Sequence, residues 1–145
     1  HAHAHGMSVF LDGARLSNAA AALGLPLRAF TTDAGIDVLA FGGTKNGALG
    51  AEALVVLNEA AAQGLVYLRK NHMQLASKMR FVSAQLLALL EGDLYLRTAG
   101  HANAMARRLR EGIEKFVASF DELLTGPGSA SGVPKPSEVL ARVAI

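Results

Sequence analysis

The chain has 145 residues, 51% of them apolar and 18% charged, with a formal net charge of +2. That balance argues against a disordered chain and offers no strongly basic surface for nucleic acid or an anionic membrane. Cysteine is absent, which excludes disulfides and thiolate zinc sites and fits a cytoplasmic setting.

The first residues alternate histidine and alanine, His1-Ala-His3-Ala-His5-Gly6-Met7. They read as a purification scar, or as the natural end of a helix terminated by Gly6. In an extended strand the three histidines would share a face and could hold a metal, but no acidic ligand stands beside them, and no metal is expected. Residues 8–11 read as a short buried strand, apolar throughout. Residues 14–23 read as an alanine-rich helix stopped by Gly24 and Pro26. A connector follows over 28–34, then a second strand over 36–41, a glycine-rich turn over 42–50 and a third strand over 53–57. The chain then turns helical. Leu75, Met79, Val82, Leu86 and Leu90 keep the three-and-four spacing of one buried helix face, which predicts a helix over 65–90. A second long helix is expected over 94–124, with Arg107, Arg108, Arg110, Glu111, Glu114 and Lys115 on its wet side.

Residues 126–136 have the glycine and proline content of a linker, and 137–145 form a tail. The longest strongly apolar stretch, 86–90, is far short of a membrane span, and no secretory signal is visible. The order of elements predicts an α/β fold whose residues 1–125 form a partial domain with a helical extension. Three strands are too few for the sheet of an ordinary α/β enzyme, so a fragment is expected. The mean hydropathy of +0.28 fits a surface that meets a partner.

Two short motifs carry chemistry. Asp12 stands in Phe10-Leu-Asp-Gly-Ala-Arg15 and Lys45 in Phe41-Gly-Gly-Thr-Lys-Asn-Gly47, each closing an apolar run. An acid and a lysine at the carboxyl ends of two strands suit pyridoxal phosphate. The lysine forms a Schiff base with the cofactor aldehyde, and the acid keeps the pyridine nitrogen protonated so that the ring accepts electrons. Taken singly, each residue has a plainer reading: Asp12 as a helix cap and Lys45 as a surface charge on a turn. Gly42, Gly43 and Gly47 permit backbone geometry that larger residues resist, and the Thr44 hydroxyl can bond the cofactor phosphate or the lysine loop.

Residues 11–19, 37–47 and 50–53, with Gln-Leu-Ala-Ser-Lys-Met-Arg-Phe at 74–81 and Gly-His-Ala-Asn-Ala-Met-Ala at 100–106, resemble low-specificity L-threonine aldolases. The likeness runs from about residue 4 to about residue 120. It implies the large domain of an aspartate-aminotransferase-type fold. It also implies pyridoxal 5'-phosphate as cofactor and reversible cleavage of threonine or allo-threonine to glycine and acetaldehyde, in a homodimer or homotetramer. By that resemblance Lys45 is the Schiff-base lysine, Asp12 the partner of the pyridine nitrogen, and Thr44 and Gly43 cofactor-binding residues. Arg15 is the arginine that grips the substrate carboxylate, a task suited to a guanidinium fork. Lys70 and Arg80 resemble basic residues sent towards a neighbouring subunit's site, with a solvated helix face as the alternative. His101 is expected to pack rather than catalyse.

The family's phosphate-binding loop and ring-stacking histidine lie upstream of the matching residues, and a second carboxylate-binding arginine lies in its C-terminal small domain. The chain alone is therefore expected to be inactive or nearly so. Two alternatives stand beside this reading. One is a related pyridoxal-phosphate β-eliminating lyase. The other is a non-catalytic fragment that only associates with itself or with a parent subunit.

Overall fold

The computed structural model describes residues 1–125 and 135–138. The linker and tail expected over 126–145 fall outside the described residues, apart from 135–138. The chain divides into two compact units, His1–Asn103 and Ala104–Ile145.

The first unit is built on three strands in the order β1 (Phe10–Gly13), β2 (Val38–Gly42) and β3 (Glu52–Val56). β1 and β2 run parallel, with Phe10 opposite Val38, Asp12 opposite Ala40 and Gly13 opposite Phe41. β3 returns antiparallel, pairing Val38 with Val56 and Gly42 with Glu52. The parallel pair needs a crossover, supplied by α1 (Leu16–Leu23) and the single turn α2 (Leu27–Phe30), which overlaps the start of the expected connector. Gly24, at φ 64°, ends α1, and its N–H donates to the Ala20 carbonyl.

β1 lies two residues later than expected. The Val9 carbonyl accepts from the Asp37 N–H and its own N–H donates to the Asp37 carboxylate, so the ladder proper opens at Phe10. The shift places Asp12 inside the strand, opposite Ala40, instead of after it.

The core is small. Leu16, Leu39 and Phe41 are buried, with Leu11, Leu27, Phe30, Ala53 and Leu86 packed on them. Leu16, Leu39 and Phe41 each contribute roughly 1.5–3 kcal/mol by leaving water, and the partly buried residues less. The buried strands expected from their apolar runs are only partly so. Phe10 is 60% and Leu54 54% exposed, because β1 and β3 are both edges and no described element covers β3.

The single helix expected over 65–90 is two, α3 (Leu65–Asn71) and α4 (Arg80–Leu90). Between them Met73 and Lys78 adopt φ of 57° and 60°, a left-handed conformation that no helix interior allows. Arg69 Nε donates to the Gln74 carbonyl and the Gln74 side chain to the His72 carbonyl, closing the end of α3 locally. The apolar spacing misleads because Leu75 and Leu90 have no core to face. They stay about half exposed, while Leu89 is the buried residue of α4.

α5 (Leu94–Thr125) begins after Gly92 and Asp93, both at φ 56°. Within the first unit it presents buried Tyr95 and Ala99, and the Tyr95 ring meets Phe41 edge-on at 6.4 Å. Within the second unit its residues Met105, Leu109, Ile113, Phe116 and Phe120 are all substantially exposed. Among the described residues no helix is long and apolar enough to cross a membrane.

Candidate active site

Both motifs reach one end of the sheet, because β1 and β2 are parallel, with Asp12 in the second half of β1 and Lys45 three residues past the end of β2. Two glycines let the ends approach. A Cβ on Gly13 would lie 2.6 Å from the Ala40 carbonyl oxygen, and one on Gly42 would lie 2.8 Å from Ala14 Cα. No larger residue fits either place, so the turn leaving β1 and the last residues of β2 are in backbone contact.

Asp12 is exposed, and its Oδ1 accepts the Ala14 N–H at 3.0 Å. This local bond orients the carboxylate without capping α1, whose N-cap is Arg15 with no side-chain bond. Arg15 and Lys45 are likewise exposed, and neither forms an ion pair among the described residues. An acid and two cations gathered at a strand end with unspent charge are suited to hold something else.

Lys45 sits in a single 3-10 turn, Thr44–Asn46, closed by Gly47 at φ 102°. Lys45 points out while Asn46 is buried, its Nδ2 donating to the Tyr95 carbonyl at 2.9 Å and its Oδ1 accepting from the Thr98 hydroxyl at 2.8 Å. From another side Leu89 packs close to Gly43, and the Leu49 N–H donates to Gln85 Oε1 at 2.6 Å. Two residues of this site escape a reading of the sequence. Asn46 is hidden by its neighbour's chemistry. Glu52 opens β3, and its Oε1 accepts the Thr44 N–H at 3.3 Å.

The residues fit pyridoxal phosphate in part. Lys45 offers a free amine, Asp12 a carboxylate with Oδ2 unbonded, and Arg15 a free guanidinium. In the glycine turn the Gly43 N–H is spent on the Ala51 carbonyl and the Thr44 N–H on Glu52, which leaves the Thr44 hydroxyl and the Lys45 and Gly47 N–H groups for a phosphate.

Lys70 and Arg80 are not brought to this end. Lys70 is exposed on α3, and the Arg80 guanidinium lies over its own neighbour Phe81, 4.8 Å from the ring centre. His101 is exposed, and its motif packs through Asn103 instead. The histidine segment forms a 3-10 turn (His3–His5) ended by Gly6 at φ 69°. His3 bonds Asp37 while His1 and His5 meet edge-on at 4.7 Å, so the three do not share a face as an extended strand would give. Among the described residues no group of three or more His, Asp or Glu could hold a metal.

The chain matches the β-eliminating lyase family over residues 1–122, so the histidine segment lies inside the match. It is 50% identical over 129 residues to a low specificity L-threonine aldolase of a Pseudomonas species, covering 88% of this chain and 36% of that protein. The corresponding Pseudomonas aeruginosa enzyme is 47% identical over 106 residues, 73% of this chain and 31% of that one. Among solved structures, the threonine aldolase of Leishmania major superposes with a TM-score of 0.71 at 32% identity, covering 78% of this chain and 33% of that chain. The chain thus spans about a third of the length of these relatives, and its fold is part of the large domain of the aspartate-aminotransferase type. With its two strand-end motifs inside the matched region, the chain belongs to the β-eliminating lyase family, whose members depend on pyridoxal phosphate.

Proposed function

We propose that this chain carries the lysine, acid and arginine of a pyridoxal-phosphate-dependent aldol cleavage of threonine or allo-threonine to glycine and acetaldehyde. The observation behind the reading is the shared strand end, where Asp12, Arg15 and Lys45 stand exposed and unpaired. When bound, the cofactor supplies an electron sink for the bond-breaking step. Part of the remaining work would fall to the chain's own residues. Lys45 would hold the cofactor through its amine. Asp12 would accept a hydrogen bond from the protonated pyridine nitrogen and so keep that proton in place. Arg15 would grip the substrate carboxylate and orient the substrate. Thr44 lends its hydroxyl to the phosphate, and Gly43 allows the turn its approach.

Lys70 and Arg80 serve a neighbouring subunit's site in a cytoplasmic homo-oligomer, since α3 and α4 leave them facing solvent here. Residues 1–125 are the partial large domain, 126–136 its linker and 137–145 a tail. The family's phosphate-binding loop, ring-stacking histidine and second carboxylate-binding arginine are not among the residues that match, so the isolated chain binds cofactor weakly and turns over little or nothing.

Titration with pyridoxal phosphate, followed by product analysis with threonine, serine and phenylserine, tests the reading. A saturable absorbance band with traces of glycine and acetaldehyde supports it. Pyruvate from serine, with no aldehyde from threonine, points instead to a β-eliminating lyase. Absence of any saturable band overturns both and leaves a non-catalytic fragment, for which the exposed apolar row Met105–Phe120 and the uncovered β3 speak. Sizing at several concentrations would then detect its self-association.

A further inference from the structure

α5 touches the lysine turn and, just beyond the acid turn, the first turn of α1 through polar groups on one face. Towards the lysine turn, Thr98 and the Tyr95 carbonyl hold the amide of Asn46, which is only 8% exposed. The Tyr95 carbonyl can only accept, so Asn46 must turn Nδ2 towards it. That orientation leaves Oδ1 facing the Thr98 hydroxyl at 2.8 Å, the closest of that hydroxyl's three acceptors, beside the Leu94 carbonyl at 2.9 Å and the Tyr95 carbonyl at 3.3 Å. Towards the acid turn, Asn18 in the first turn of α1 and Asn103 form a reciprocal pair. Asn18 Nδ2 donates to Asn103 Oδ1 at 2.9 Å, and Asn103 Nδ2 donates to the Asn18 carbonyl at 2.9 Å. Small residues bring the helices close enough: Ala20 and Ala99 are almost fully buried, and a Cβ on Gly100 would lie 4.0 Å from that of Ala21.

Packing alone does not call for amides at these positions, since apolar side chains of similar shape would fill the space without needing partners. Directional bonds fix a distance and an angle, which dispersion does not. Asn46 follows Lys45 directly, and Asn18 lies three residues after Arg15. A shift of α5 therefore moves both turns together.

We propose that Thr98 and Asn103 are positioning residues. Through Asn46 and Asn18 they make α5 a common brace that fixes the lysine turn relative to the acid-and-arginine turn. The inference rests on the cofactor reading of Lys45 given above, but the brace can be measured without cofactor.

Two measurements on the full chain separate the possibilities. The first traps pyridoxal phosphate with borohydride and compares label on Lys45 with that on Lys70, Lys78 and Lys115. The second follows tryptic cleavage after Lys45, with the cut after Lys78 in the α3–α4 loop as internal control. Thr98→Val and Asn103→Ala remove the bonds, and Thr98→Ser keeps the hydroxyl. Expected is a fall of about tenfold in Lys45 selectivity for the first two variants, the size of effect that small misplacements produce. Faster cutting after Lys45 accompanies it in Thr98→Val, with both readouts restored in Thr98→Ser. Selective label in the wild type that stays equal in folded Thr98→Val and Asn103→Ala overturns the brace and leaves the cofactor reading intact. Unselective label in the wild type overturns the cofactor reading. The tryptic arm then decides, since cutting after Lys45 that Thr98→Val leaves unchanged overturns the brace as well. Should Thr98→Val fail to fold, Asn103→Ala carries the labelling comparison alone.

Discussion

The two ends of the parallel strand pair are built to opposite rules. At the amino end, Asp37 is buried and fully occupied. Its carboxylate accepts from the Val9 N–H at 2.7 Å, from Asn58 Nδ2 at 2.7 Å and from His3 Nε2 at 2.8 Å, while its carbonyl takes the Leu57 and Asn58 N–H groups. One residue thereby ties the histidine turn, β1, β2 and the exit of β3. At the carboxyl end Asp12 makes a single local bond, and Arg15 and Lys45 make none among the described side-chain contacts. Charge that stabilises the fold is satisfied internally. The charge of Asp12, Arg15 and Lys45 is left open, at the end of a parallel pair where ligands commonly meet such sheets.

The contrast predicts where substitutions act, and on what. The largest loss of stability should come from the glycines that bring the open end together. Gly42→Ala forces a methyl onto Ala14 Cα, and a shift of backbone rather than of a flexible side chain is required, costing about 3 kcal/mol by chemical denaturation. A cost below about 1 kcal/mol would mean that the turn leaving β1 and the end of β2 are not in contact.

Next comes Asp37→Asn. The backbone N–H of Val9, then Asn58, then His3 hold the Asp37 carboxyl down at about 2, against an ordinary value of 3.8. A lowered folded value means a contribution fully present above pH 3.8 and lost as the pH falls towards 2. Acid titration of the wild type should therefore show stability falling across that window, and the variant should show a shallower fall. Equal slopes would remove Asp37 from the account of the closed end.

Smaller still, Arg15→Gln and Lys45→Gln should change stability by no more than about 0.5 kcal/mol, because exposed unpaired side chains contribute little to the fold. A marked loss in either would place that residue with the structural end. Smallest of all is Ser17→Ala. The Ser17 hydroxyl is buried with no partner among the described residues, so its removal should be neutral or slightly stabilising.

The open end was the more legible in the sequence. Asp12, Arg15, Thr44 and Lys45 announce themselves because turn chemistry is local: each motif stands at the end of its own strand, and glycines mark the close approach. The α/β order and the long terminal helix follow from apolar periodicity in the same way. The closed end is silent, since nothing in Ile36-Asp37-Val38 says that the carboxylate will meet His3 and Asn58 from distant parts of the chain. Asn46 is obscured by its neighbour, and Asn18 and Asn103 meet across a separation that no local pattern encodes. The break between α3 and α4 was invisible for a different reason. The spacing of Leu75, Met79 and Val82 is helical, but periodicity forms a helix only where a core receives it, and Leu75 is exposed.

The central claim of the proposal is that Lys45 is the lysine that takes pyridoxal phosphate. It is tested most directly by adding pyridoxal phosphate to the chain, reducing with borohydride and mapping the label by peptide mass. The account predicts label on Lys45 well above Lys70, Lys78, Lys115 and Lys135, and loss of that preference in Asp12→Asn. Label spread evenly over all five lysines would contradict it.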